Sequence, residues 1–326
     1  MAYDAELGEI FVTNSYSNNV SVISDLTNTV IATIPVGMQP QDAAYDDGLG
    51  EIFVSNYLSG NVSVISDATN AVVSSIPADG YPLGLAYDGS IGAVFVATVE
   101  ESGTGNLSVI SHALDTVVEL IPVGFDPYGV AFDSGRGEIF VTNSGSSNVS
   151  VISDSTLSVV ATIPTNTTPT GIVYDAGKGE LFVTSFISGI MNVISDATNT
   201  VVSTFNVTGG PQRPSYDPAT GEVFLPNFDH HNVTVISDST NRPVGTLAAN
   251  AAPLGSVYDS GKKELFVSNG AANNVIVIPI ASPPPNGASG GLPGWTGELV
   301  LSAIIVSVVV AGIAVLLRIR ATRRPP

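Results

Sequence analysis

Cysteine is absent from this chain, histidine occurs three times, tryptophan once, and charged residues make up only 12% of 326. The lack of cysteine removes disulfides, thiolate metal sites and cysteine nucleophiles at once, so an ordered domain must be stable by packing. Positive charge is scarce as well. Before Leu299 stand six Lys and Arg against all 29 acidic residues, a net charge of −23. Such a body repels nucleic acid and anionic lipid headgroups and tolerates or attracts cations. Glycine (33) and proline (21) are plentiful, and Val, Ile, Thr, Ser and Asn dominate the remainder, a composition of β-strands and turns.

The pair aromatic-Asp recurs at Tyr3-Asp4, Tyr45-Asp46, Tyr87-Asp88, Phe132-Asp133, Tyr174-Asp175, Tyr216-Asp217 and Tyr258-Asp259, at intervals of 42, 42, 45, 42, 42 and 42. The one longer interval holds its three extra residues around Glu100 to Gly105. Each unit contains four strand-length runs, here named a to d, as at 41–45, 51–55, 61–65 and 71–76, with turn residues between them. Connections this short impose an antiparallel meander. Both sides of the runs are apolar or small, so a four-stranded unit must be sandwiched between neighbouring units. Four-strand repeats of this length predict an all-β fold, a seven-bladed β-propeller over residues 1–280.

The phrases IFVTN at 10–14 and 139–143, IFVSN at 52–56 and LFVSN at 265–269, with the NVSVIS-D and V-ATIPVG-P stretches that follow, resemble the YVTN-type β-propeller repeat. The repeat is similar to that of archaeal surface-layer and other secreted propeller proteins, over about residues 2–280. The resemblance implies location and architecture more than activity.

Runs a, b and c occur seven times but run d only six, ending at Pro243 to Ala248, so the last blade is expected to lack its outer strand. No charged-then-apolar leader opens the chain either. The two gaps together suggest a true start, with signal peptide and closing strand, upstream of Met1. Beyond the repeats, residues 281–298 read as a Pro/Gly-rich stalk. Residues 299–317 are 19 positions without a charge, about 28 Å as a helix, and predict one C-terminal transmembrane helix. Glu298 precedes this run and RIRATRR follows it, so the positive-inside rule makes 318–326 a basic cytoplasmic tail and the propeller extracellular.

The chemistry-bearing residues are few. His112 stands where other units carry the Asp of a Ser-Asp turn and reads as a turn variant. Each Asp of the aromatic-Asp pair opens a tight hairpin and reads as a cap on backbone N–H groups. No catalytic residue, cofactor or metal ligand is assigned. Candidate glycosylation sequons lie at Asn19, Asn61, Asn106, Asn148 and Asn232, all in one repeat position, and at Asn166 and Asn206. The b-to-c and d-to-a loops of a meander emerge on one face, where recognition usually resides. Candidate recognition residues there are Tyr16, Tyr57, Phe186, Phe228, His230 and His231.

These features lead to the expectation of a membrane-anchored, extracellular, non-enzymatic surface protein: a scaffold, adhesin or surface-layer-associated binding protein. Its partners are the membrane, through the C-terminal helix, and a glycan, a surface protein or further copies of itself. The alternative is a propeller enzyme of lactonase or quinoprotein-dehydrogenase type. That requires convergent charged or metal-binding groups at the channel mouth, where the innermost runs offer mainly small residues with Gln41, Asp42, Gln212 and Arg213.

Overall fold

A computed structural model of the chain describes residues 1–165 and 167–280 and the backbone of one further strand, Ile304–Ser307. Its strands form seven four-stranded antiparallel sheets, each a meander of consecutive strands in the first six. The second blade is typical, with strand a at Pro40–Asp46, b at Glu51–Asn56, c at Asn61–Ser66 and d at Ala71–Pro77. Blades meet through apolar clusters drawn from adjacent sheets. Phe11, Val20 and Val22 of the first blade pack on Ala43, Ile52 and Val54 of the second. The Phe of strand b is fully buried in every blade: Phe11, Phe53, Phe95, Phe140, Phe182, Phe224 and Phe266.

The ring closes the same way. Phe266, Val275 and Val277 of the seventh blade pack on Ile10, Val12 and Ile23 of the first. Tyr3 donates to Asp259 Oδ1 at 2.8 Å, and Lys262 Nζ pairs with Asp25 at 2.9 Å across the same joint.

In each of the six blades with a strand d of its own, the c–d register slips by one residue. The unpaired residues are Ile31, Val73, Val118, Val160, Val202 and Val244. A bulge of this kind twists an outer strand away from a flat edge that would otherwise invite pairing.

The seventh blade has three consecutive strands, Pro253–Asp259, Glu264–Asn269 and Asn274–Pro279. Its outer edge is taken by Ile304–Ser307, antiparallel to Asn274–Val277. Those four residues fall within the run 299–317, expected as a membrane helix, and are strand here. The rest of that run, the stalk and the tail lie outside the described residues. Two surroundings favour two conformations for such a segment: in lipid a helix satisfies every backbone group internally, whereas beside an open sheet edge Ile, Ile and Val suit a strand. Among the described residues no helix is long and apolar enough to cross a membrane.

Candidate functional site

The disc has two unlike faces. One carries the a–b and c–d turns, and it is built from a repeated joint. Asp4 Oδ1 accepts from Glu6 N (2.8 Å) and Leu7 N (3.1 Å), closing the turn that Gly8 ends in the left-handed region at φ +66°. The same cap recurs at Asp46, Asp133, Asp175 and Asp259. The turn role read from sequence therefore holds, but each carboxylate also has a partner from the next blade. The Tyr hydroxyl that follows in the ring lies between two carboxylates: Tyr3 reaches Asp25 and Asp259, and Tyr174 reaches Asp196 and Asp133. One phenolic proton thus serves two acids. Burial and these carboxylates hold the Tyr3, Tyr45, Tyr87, Tyr174, Tyr216 and Tyr258 hydroxyls well above the ordinary phenol range.

At three joints a second contact runs from the Glu that opens strand b to an Asn in the next blade's c–d turn. Asn241 donates to Glu180 at 3.1 Å, and Asn70 and Asn28 serve Glu9 and Glu264. Two joints depart from this. Where Ala93 replaces the Glu, Leu157 replaces the Asn and packs on the cluster holding Ala93, although it keeps the left-handed φ of 47°. Where Asp115 replaces the Asn opposite Glu51, His112 replaces the usual acid and pairs with buried Asp46 at 2.6 Å. His112 is therefore more than a turn variant: its ring meets a buried acid of the neighbouring blade, at a joint that carries an extra acid.

A cavity of about 470 Å³ opens at the channel mouth on this face, lined by Tyr3, Tyr45, Tyr87 and Asp47 over Ala43 and Ala44. Deeper in, Arg213 reaches from the connection into the sixth blade to the innermost strand of the second. It pairs with Asp42 Oδ2 at 2.9 Å, donates to Gln41 O at 3.2 Å and stacks over the Tyr128 ring at 5.3 Å. Burial opposes its charge, but Asp42 and Tyr128 outweigh burial and raise its pKa. Of the polar channel groups expected from sequence, Arg213, Asp42 and the Gln41 carbonyl are brought together as a brace across the channel, whereas Gln212 bonds through its backbone to Pro226 and Thr184. Among the described residues no group of three or more His, Cys, Asp or Glu is placed to hold a metal ion.

The opposite face carries the b–c and d–a loops. Its repeated element is an amide ladder. Asn14 Nδ2 donates to Asn19 Oδ1 (2.8 Å) and Ser21 Oγ (2.9 Å), and the same pattern links Asn56, Asn61 and Ser63, Asn143, Asn148 and Ser150, and Asn227, Asn232 and Thr234. At four sequons, then, the Asn carbonyl and the hydroxyl two residues on already have a packing role. Asn106 follows a longer hairpin in which Glu100 N donates to Thr104 O. Asn206 is exposed at the end of strand Thr200–Asn206, and Asn166 lies outside the described residues.

Two aromatic pairs cross blade boundaries on this face. Tyr57 and Tyr81 lie 5.1 Å apart, and Phe186 meets Phe228 edge-on at 6.5 Å. The Phe186–Phe228 pair borders a turn at Gly209-Gly210, both at positive φ. A side chain on Gly209 would strike His230, and one on Gly210 would strike Asp229 and Phe186. The two adjacent histidines part company. His230 sits exposed beside Thr208 at 3.4 Å. His231 occupies a left-handed position (φ 54°), and its Nδ1 accepts from Ala252 N at 2.8 Å. Asn18 does the same in the first blade, at φ 54° with Gln39 N at 2.9 Å. His231 is thus a loop brace of the kind an Asn supplies elsewhere. Tyr16 is exposed as expected, and so are Met38, Leu58, Phe125 and Ile187. Of these, Met38, Leu58 and Ile187 escape a search confined to aromatics and histidine.

No family model matches this chain, and no curated protein does. Solved structures do. A chain of Kuenenia stuttgartiensis hydrazine synthase superposes with a TM-score of 0.76 at 17% identity, covering 86% of this chain and 94% of that one. A functionally unknown protein from Desulfotomaculum acetoxidans gives 0.72 at 15% identity, with 91% and 98% covered. At such identities the likeness shows the fold alone. The chain is a seven-bladed β-propeller, and the resemblance to YVTN-type repeats rests on the repeat residues themselves.

Proposed function

We propose that this protein is a cell-surface binding protein, anchored by residues 299–317 in the membrane, that uses the b–c and d–a loop face to hold a glycan, a surface protein or a neighbouring copy. The supporting observation is the exposed aromatics of the loop face, since the exposed apolar groups of the turn face, such as Leu7, Leu26 and Leu114, are aliphatic. The loop face presents Tyr16, Met38, Leu58, Phe125 and Ile187 to solvent around two aromatic pairs, on loops braced by backbone bonds such as Tyr57 N to Gln39 O at 3.0 Å. Rigid loops bearing exposed aromatics are what recognition of sugars and proteins requires. The charge flanking the uncharged run supports the orientation.

Two experiments test this reading. Protease added to intact cells should remove the propeller and leave the basic C-terminal stub, and a protected propeller contradicts the topology. The double variant Phe186→Ala, Phe228→Ala should weaken attachment of the full chain to isolated cell envelopes at unchanged fold. Undiminished attachment moves the contact elsewhere.

A further inference from the structure

The circumference of the disc carries a feature that neither face explains. The six bulge residues of the outer strands, Ile31, Val73, Val118, Val160, Val202 and Val244, are all β-branched and aliphatic. All point to solvent, with exposures from 39% for Val244 to 55% for Val73. Two positions further along the same strands, equally outward sites carry Thr33, Ser75, Thr162, Thr204 and Thr246, with Leu120 the exception. Both sites face water and both suit β-branched residues, so strand propensity does not separate them. Thr would serve the bulge as well as Val. Among the described residues these six side chains stand exposed on the rim.

We infer that this rim is a self-association surface, packing against the rim of a second copy of the same chain. Charge selects that occupant. The six outer strands contain one acid and one base, Glu119 and Arg242, in a body of net charge −23. Two copies that approach by their acidic turn faces repel most strongly, whereas two rims meet with less of that penalty. The other long apolar run of the sequence, 299–317, is one segment against six blades. At the seventh blade the outer strand is again apolar and β-branched: Ile304–Ser307 holds the place beside Asn274–Pro279 that strand d holds in the other blades. Bulges discourage continuation of a sheet from copy to copy, so contact is by side-chain packing of Val against Val. Knobs repeated around a disc permit several neighbours in one plane, which for a membrane-anchored chain is a lateral array. The inference concerns the rim and stands whether or not the loop face binds a ligand.

The test compares the full chain, in a non-ionic detergent, with a sextuple variant in which Ile31, Val73, Val118, Val160, Val202 and Val244 are each replaced by Thr. Threonine keeps β-branching and charge, and at the five Val positions nearly the volume. Sedimentation velocity across a concentration series should show reversible self-association of the parent, strengthened by salt because salt screens the net negative charge. The variant should associate roughly tenfold or more weakly at an unchanged melting profile. If the profile falls, the three-site variant Val73→Thr, Val118→Thr, Val160→Thr replaces it and should still weaken association. A parent that stays monomeric throughout overturns the inference. So does a folded variant that associates as well as the parent, which assigns the contact to the anchor or to a face.

Discussion

On the turn face, blade after blade repeats an Asp cap, a Tyr between two acids and a Glu–Asn contact, whereas on the loop face the exposed groups change from Tyr16 to Leu58 to Ile187. The repeated face solves one problem seven times: how to join a blade to its neighbour. At one joint the change is paired across blades, Ala93 with Leu157; at another, His112 and Asp115 change together within one turn, opposite Asp46 and Glu51 of the adjoining blade; and Phe132 stands in the Tyr position with Asp88 retained. On the loop face Tyr57–Tyr81 and Phe186–Phe228 also pair across joints, while Tyr16, Leu58 and Ile187 at one repeat position stand exposed. Varied groups that face solvent mark the surface left free for other uses.

The comparison breaks most visibly if a turn-face acid proves dispensable. Asp175 is fully buried and caps Gly177 N and Lys178 N. Its replacement by Ala should cost about 2–4 kcal/mol, since two backbone donors lose their partner inside the fold. Ala in place of exposed Tyr16 or Phe125 should stay within about 0.5 kcal/mol. Chemical denaturation of the three variants checks both statements, and equal losses would erase the distinction between the faces.

Next in size is the altered joint. Ala93→Glu places a carboxylate in an apolar contact and should cost about 1–3 kcal/mol. Adding Leu157→Asn restores the pairing found at other joints and relieves a Leu from a left-handed conformation, so a double-mutant cycle should return a favourable coupling of about 0.5–3 kcal/mol. Additive effects would show that the two changes are unrelated.

The adjacent histidines sharpen the comparison within one loop. His231→Ala should cost about 1–2 kcal/mol, because Ala252 N loses its acceptor and Ala fits φ 54° poorly. His231→Asn should recover most of that loss, and His230→Ala should change stability by less than about 0.5 kcal/mol. A His230 variant as damaging as His231→Ala would make the whole loop structural.

The smallest effect is in pH. Burial, with neighbouring acids, raises the pKa values of Glu9, Glu51, Glu222, Glu264, Asp196 and Asp238. The folded chain therefore holds these protons more tightly than the unfolded chain. Their contribution is complete below the ordinary carboxylate range, about pH 4, and is lost as pH rises through the raised values. Net repulsion at −23 acts in the same direction. Melting temperatures should rise modestly as pH is lowered from 7 toward 4.5. A steady fall over that interval would mean that the joint acids are better satisfied when ionised.

The blade count is legible in the sequence because each Phe of strand b and each Asp of an a–b turn answers a local demand that recurs at fixed spacing. The joints are not, since Tyr3 meets Asp259 from the far end of the chain and His112 meets Asp46 across 66 residues. Two substitutions within one repeat, Asp to His112 and Asn to Asp115, are the signal that reveals the His112 pairing. His231 reads as a recognition residue only until its place in the turn is compared with Asn18. The edge partner of the seventh blade escapes local reading altogether, because the run 299–317 satisfies the rule for a membrane helix before any strand is considered.

The central claim, that the varied face recognises and the repeated face only holds, is tested most directly by two matched triple variants of the full chain. One replaces loop-face Tyr16, Phe125 and Ile187 with Ser; the other replaces turn-face Leu7, Leu26 and Leu114 with Ser, all six being exposed. Attachment to isolated cell envelopes is measured for both, with melting as the control for folding. The account predicts that the loop-face variant loses attachment while the turn-face variant retains it, both melting with the parent. Attachment lost in the turn-face variant and kept in the loop-face variant would contradict it.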